Sequence, residues 1–195
     1  AWVLKANYRF FPKGTVFLCV ADPGVGSKRQ AVAVQTENYF FVGPDNGLMY
    51  PAASEDGVRK TVRLSAEDAS HTFHGRDVFA PAAARLEMLT AGMLGEDTAL
   101  QTRLEFCLKG RTGEVVRIDS FGNVITNIPS LGKKMYDVVI EGKAKKIPYY
   151  IIYDEAPENE MFLIVGSAST LELSVRNKSA NRILGLKAGQ RIEIR

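Results

Sequence analysis

Cysteine and histidine are scarce in this chain, two of each among 195 residues, and there is a single tryptophan. Each shortage excludes something. Two thiols, Cys19 and Cys107, are too few for a disulfide framework, and Cys19 lies inside the apolar run Thr15-Val-Phe-Leu-Cys-Val-Ala21, where it reads as a buried thiol. A reducing cytoplasm fits. Two histidines, His71 and His74, without a cysteine pair supply too few ligands for a metal centre, so no metal or other cofactor is expected. Long hydrophobic runs are also missing. No stretch reaches the ~20 apolar residues that cross a bilayer, and no basic-then-apolar leader opens the sequence, so the expectation is a soluble cytoplasmic protein with no membrane partner. Charge of one sign is lacking too: 25 basic and 22 acidic side chains leave a net charge of +3, spread along the chain rather than gathered in an arm. Nucleic acid is not an expected partner. The longest basic cluster, Lys143 to Lys146, lies between apolar runs and reads as a solvated hairpin turn.

What is present is an ordinary globular composition, 46% hydrophobic and 24% charged, enough for one large domain or two small ones. Trp2, Val3, Ala6 and Phe10 recur at helical spacing, and Pro12-Lys-Gly14 breaks that helix before a short buried strand over 16–20. The chain opens without Met and already inside this pattern, so further residues are expected upstream. A turn-rich loop, Asp22-Pro-Gly-Val-Gly-Ser-Lys-Arg29, follows the strand. Ala31 to Val34 and Tyr39 to Val42 then read as a strand pair turning at Glu37-Asn38, Val58 to Leu64 as another strand, and Asp77 to Leu89 as an alanine-rich helix with Pro81 in its first turns. This alternation predicts an α/β layered domain over residues 1–92.

Around Ala91 to Thr102 the periodicity fades, and 93–103 is read as a linker. Beyond it come Glu114 to Ile118, Val124 to Ile128, Asp137 to Glu141, Tyr149 to Tyr153, Met161 to Val165, Leu171 to Val175 and Arg191 to Ile194. With a short helix at Ser179 to Leu184 as the one interruption, these strands predict a small antiparallel β-barrel over 104–195.

Four segments carry residues suited to chemistry. The first is the 22–29 loop. Its Gly24-Val-Gly26 has arginine where a dinucleotide fingerprint needs a third glycine, and it lacks the Gly-Lys-Ser/Thr ending of a phosphate loop. What remains is Asp22 at a strand end and Arg29 seven residues on, with glycines that let the backbone double back; a surface turn capped by Asp accounts for the same spacing. The second, Thr72-Phe-His-Gly-Arg-Asp77, sets His74 at a helix entrance, where backbone N–H groups are unpaired, although a hydrogen-bonded loop histidine fits as well. The third, Ile118-Asp-Ser-Phe-Gly-Asn-Val124, is a tight turn gathering Asp119, Phe121 and Asn123: a carboxylate, an aromatic face and an amide. That set suits a cationic amine and a stacked base, and ordinary Asx-Gly hairpin turns use the same residues. The fourth is Val165-Gly-Ser-Ala-Ser169, before a strand.

In order along the chain, Val20-Ala-Asp-Pro-Gly-Val-Gly-Ser27 with Arg29, Phe41-Val-Gly-Pro-Asp-Asn-Gly-Leu48, Thr72-Phe-His-Gly-Arg-Asp-Val-Phe-Ala-Pro81 and Ile118-Asp-Ser-Phe-Gly-Asn-Val-Ile-Thr-Asn127 resemble the motifs of the S-adenosyl-L-methionine (SAM) hydrolase, fluorinase and chlorinase family. The tail from Gly166-Ser167 through Gly185-Leu-Lys-Ala-Gly189 is similar as well, so the resemblance spans essentially the whole chain. It implies an α/β domain followed by a β-barrel, assembled as a homotrimer with SAM bound between one subunit's first domain and its neighbour's second.

By motif, Asp22, Arg29 and His74 match the residues that hold and polarise a water in the hydrolases; the halogenases replace members of this set. The resemblance therefore implies hydrolysis of SAM to adenosine and L-methionine, with a chlorinase-type halogenase as the alternative and a non-catalytic SAM- or adenosine-binding module as the reading from another class. Phe73 and Phe121 match adenosine-pocket positions, Asn123 the adenine contact, Asp119 the partner of the methionine ammonium and Ser167 that of its carboxylate. Ala168 stands where a halogenase has arginine, a contact made largely through the backbone. The family's opening Thr-Asp-Phe-Gly strand, whose aspartate grips the ribose hydroxyls, has no counterpart in these residues, so the first domain is read as truncated at its start.

Overall fold

A computed structural model describes residues 1–86, 88 and 94–195. The chain divides into two compact units, Ala1–Glu105 and Phe106–Arg195, and each is described by itself.

The first unit is built on a five-stranded sheet. Its strands are β1 (Val16–Leu18), β2 (Ala31–Thr36), β3 (Phe40–Pro44), β4 (Val58–Arg63) and β5 (Glu96–Asp97), in the order β1-β3-β2-β4-β5. The β1–β3 pair is parallel and the others are antiparallel. β2 is buried at nearly every position because both of its faces are covered, and its first four residues are apolar. Ala31 and Ala33 face Val78, Phe79 and Ala82, whereas Val32 and Val34 face Tyr8, Met49, Ala52 and Ala53. The second face is closed by α1 (Trp2–Asn7), its 3-10 extension Tyr8–Phe10, and α2 (Tyr50–Asp56). Tyr8 and Tyr39 meet edge to face at 5.4 Å, and Phe17 stacks on Phe41 at 5.2 Å. The expected Glu37-Asn38 turn is present, with Thr36 N–H donating to the Tyr39 carbonyl at 3.0 Å.

The first face is closed by a π-helical turn, Gly75–Phe79, that runs into α3 (Ala80–Ala83). The helix expected from Asp77 to Leu89 thus begins on a wider turn, and its positions Glu87 and Leu89 lie outside the described residues. So does the 92/93 boundary read from the sequence. Residues just beyond it are tied to the first sheet: β5 pairs with β4, and Gln101 and Thr102 N–H groups donate to the Asp45 carboxylate at 2.7 and 3.2 Å.

The second unit is a seven-stranded, wholly antiparallel sheet of β6 (Thr112–Ile118), β7 (Val124–Pro129), β8 (Met135–Ile140), β9 (Lys143–Pro148), β10 (Met161–Val165), β11 (Thr170–Val175) and β12 (Arg191–Ile194). Its order is β10-β11-β7-β6-β12-β8-β9, and a bridge from Tyr149 to Leu163 joins the ends, so the sheet nearly closes into a barrel around Val115, Tyr136, Leu171 and Ile192. The short α4 (Ala180–Leu184) is capped by the Ser179 hydroxyl and stopped by Gly185 in the left-handed region.

Two expectations are corrected here. Lys143 to Lys146 is not a turn but most of β9; the turn is Glu141-Gly142, both with positive φ. Four exposed residues at the start of a strand hide the alternation that marks a half-buried one, and lysines on an outer strand discourage edge-to-edge pairing. Tyr149 to Tyr153 in turn is not a strand: past the Tyr149 bridge the chain leaves the sheet and coils into a 3-10 turn, Tyr153–Glu155.

Candidate active site

The loop leaving β1 doubles back through two turns, Val25 N–H donating to the Asp22 carbonyl at 3.3 Å and Ser27 N–H to the Gly24 carbonyl at 3.0 Å. Asn46 Nδ2 holds the neighbouring Ala21 carbonyl at 2.8 Å, fixing the loop to the turn after β3. Asp22 and Arg29 are thereby placed side by side. Arg29 Nε donates to Asp22 Oδ1 at 3.0 Å and Nη2 donates to Oδ2, a bidentate pair with side chains only 10% and 6% exposed. Nη2 also lies 2.9 Å from His74 Nδ1. A guanidinium only donates, so Nδ1 is the acceptor and the ring proton rests on Nε2, which has no partner among the described residues. Phe79 packs under the guanidinium at 5.3 Å.

His74 owes its position to the π-helical turn it opens. Asp77 ties that turn down, accepting from the Ser70 N–H at 3.1 Å and the Ser70 hydroxyl at 2.7 Å, and from Arg76 Nε at 2.6 Å. The hydrogen bond from Arg76, followed by those from Ser70, holds the Asp77 carboxyl far below the usual carboxylate range. His74 is buried at 8% exposure, whereas Phe73 beside it is exposed with the Arg76 guanidinium 4.9 Å over its ring. His74, 45 positions beyond Arg29, joins the Asp22–Arg29 pair in one largely buried set.

The second unit carries a cavity of about 1190 Å³ lined by Asp119, Phe121, Asn123, Tyr153, Glu172 and Arg176 among others. The Asp119–Asn123 turn is held by its own aspartate: Oδ1 accepts from the Phe121 and Asn123 N–H groups at 3.0 and 2.8 Å, and Oδ2 from Asn123 Nδ2 at 2.9 Å. Gly122 completes it with φ +85, and a Cβ there would collide with Ser179 Oγ. Asn123 is buried, with no partner for its amide oxygen and one of its N–H groups among the described residues, and Phe121 projects at 78% exposure. Ser167 and Ala168 occupy the β10–β11 turn, closed by Ser169 N–H donating to the Gly166 carbonyl at 3.0 Å, and do not line this cavity.

Sequence reasoning missed Tyr153, whose hydroxyl lies 3.1 Å from Ser174 Oγ, and Glu172. A glutamate between Leu171 and Leu173 was the available signal, because β11 is buried at every position and a charge there needs a reason. Among the described residues no group of three or more His, Cys, Asp or Glu is placed to hold a metal ion, and no helix is long and apolar enough to cross a membrane.

Known proteins resemble the chain over both units. The SAM hydroxide adenosyltransferase N-terminal domain family matches residues 1–93 and the corresponding C-terminal domain family residues 113–193. The chain belongs to the SAM hydroxide adenosyltransferase family. It is 37% identical to the (R)-S-adenosyl-L-methionine hydrolase of Thermus thermophilus, an alignment covering 100% of this chain and 81% of that protein. It is 32% identical to the protein of the same name from Methanocaldococcus jannaschii, covering 100% and 76%. The crystal structure of an uncharacterized conserved protein from Thermotoga maritima superposes with a TM-score of 0.87 at 34% identity, over 100% of this chain and 82% of that one. That similarity includes the α/β sheet followed by the antiparallel barrel.

Proposed function

We propose that this protein hydrolyses S-adenosyl-L-methionine to adenosine and L-methionine, as the names of its relatives indicate for them. The observation that carries the reading is the buried hydrogen-bonded set Asp22–Arg29–His74. A sulfonium is a cationic leaving group already, so the chemistry needs neither a general acid nor a Lewis acid; it needs a placed nucleophile. In this reading a water is held by His74 Nε2–H and the Asp22 carboxylate. Its oxygen forms the new bond to the ribose C5′ as the C5′–S bond breaks, the electron pair returns to sulfur as a neutral thioether, and the water's proton passes to Asp22. Arg29 fixes both partners at once.

Asn123 would read the adenine with its unused amide atoms, Phe121 and Phe73 would flank the nucleoside, and Ser167 with Ala168 would receive the methionine carboxylate through the turn they form. The exposure of Phe73 and Phe121 supports a working assembly in which a neighbouring subunit covers them, a homotrimer with sites at the subunit interfaces. Such an enzyme, consuming a cytoplasmic metabolite, would act in the cytoplasm.

The test is incubation with SAM in chloride-containing and chloride-free buffer, followed by chromatography. Adenosine in both buffers is expected. 5′-Chloro-adenosine in the chloride arm would replace the hydrolase with a halogenase, and SAM binding without any product would leave only a binding module.

A further inference from the structure

Three carboxylates line the cavity of the second unit, and they are differently occupied: Asp154 is paired with Arg176 at 2.7 Å. Asp119 accepts three hydrogen bonds from its own turn, so much of its acceptor capacity serves the fold. Glu172, on β11 and 9% exposed, accepts no hydrogen bond and forms no ion pair among the described residues, yet it lines the cavity. Its carboxylate lies directly against Gly166, at the start of the turn bearing Ser167, where any Cβ would overlap Oε1. The charged and titratable groups that bear on it are Asp119, Arg117 and Tyr153, and Arg176, Lys178 and Arg182 line the same cavity. Burial first, and then the negative charge of Asp119, push the Glu172 carboxyl up from its ordinary range. A buried carboxylate with all its acceptor positions empty is costly unless a donor arrives from outside the chain.

We infer that Glu172 is the principal receptor for the ammonium group at the amino-acid end of the substrate, with Asp119 holding the turn and adding a second negative charge nearby. The assignment rests on the SAM reading above. Of the two cationic centres in SAM only the ammonium carries N–H donors; the sulfonium has none and cannot satisfy an empty acceptor. Placement against Gly166 also sets Glu172 beside the turn proposed to take the carboxylate of the same amino-acid end, so one zwitterion meets both groups. Glu172 touches no reacting atom in this arrangement. It is a specificity residue.

Calorimetric titration of the full chain with and without Glu172→Gln, both carrying His74→Ala to slow consumption of SAM, tests this with three probes: SAM, S-adenosyl-L-homocysteine, which keeps the ammonium but has no sulfonium, and adenosine, which has neither. Loss of one charge-assisted hydrogen bond is expected to weaken SAM and S-adenosyl-L-homocysteine equally, by about tenfold or more, and to leave adenosine within about twofold. Glu172→Asp should recover part of the loss. Adenosine binding doubles as the control for folding. Loss on SAM alone would reassign Glu172 to the sulfonium, equal loss on all three would make its role structural, and no loss would remove it from recognition; each overturns the inference. His74→Ala protein that fails to bind SAM sinks the hydrolase reading and this assignment together, whereas SAM binding unchanged by adding Glu172→Gln sinks this assignment alone.

Discussion

Arg29 donates from Nη2 to His74 Nδ1 at 2.9 Å across 45 positions of sequence, while its Nε and the same Nη2 grip the carboxylate of Asp22. One guanidinium thus sets the direction of both groups proposed to hold the nucleophile. Arg29→Lys keeps the charge and loses the fork, because a single ammonium cannot span the two partners in the same geometry. The variant is expected to bind adenosine normally and to lose on the order of 10²-fold in kcat, with Asp22→Asn and His74→Ala in the range of about 10² to 10⁴. Steady-state adenosine release, set beside adenosine affinity, checks this; undiminished kcat in Arg29→Lys would show that the fork has no catalytic role.

The proposed interface site makes a prediction about mixtures. His74→Ala disables the first unit and Glu172→Gln with Asp119→Asn the second, so each variant alone should be nearly inactive. Unfolded together and refolded at equal amounts, they should recover activity in roughly a quarter of the sites, because random assembly pairs two intact halves that often. Sites made within single chains would show no recovery.

Glu172 also links function to stability. Its folded-state pKa is raised above the unfolded value, so its contribution to stability is present below the unfolded pKa and is lost as pH rises through the folded one. Glutamine stays neutral throughout. In thermal melts without ligand, Glu172→Gln and wild type should have similar Tm in acid, and the variant should become the more stable as pH rises to neutral. A wild-type advantage at neutral pH would contradict the unpaired state of the carboxylate.

The two thiols should differ in reactivity. Burial pushes the Cys19 thiol up to about 12, so it stays protonated at pH 8, whereas Cys107 is half-buried. Iodoacetamide on native protein is expected to label Cys107 alone, and on unfolded protein both, as read by peptide mass spectrometry. Native labelling of Cys19 at a comparable rate would mean that its sheet opens readily.

Much of this protein was determined locally and is visible in the sequence. The turn residues of Asp119-Ser-Phe-Gly-Asn123 dictate their own loop, since the aspartate and glycine satisfy it within five positions. The apolar run Ala31 to Val34 marks a strand, and Ser179 with Gly185 brackets a helix. Other features were decided only by the tertiary structure. Lys143–Pro148 became a strand because β8 offered it a partner, not because its own pattern alternates. His74 joined Arg29 because helix packing on one face of the first sheet brought the 74–79 turn to the end of β1, and no spacing rule spans that distance. Glu172 is the clearest case. Its neighbours Leu171 and Leu173 mark a strand, but only the coverage of both faces of β11 and the nearness of Asp119 turn an ordinary glutamate into a buried, unpaired charge. Sequence specifies interactions a few residues long; which distant groups share one desolvated space is set by how the sheets close.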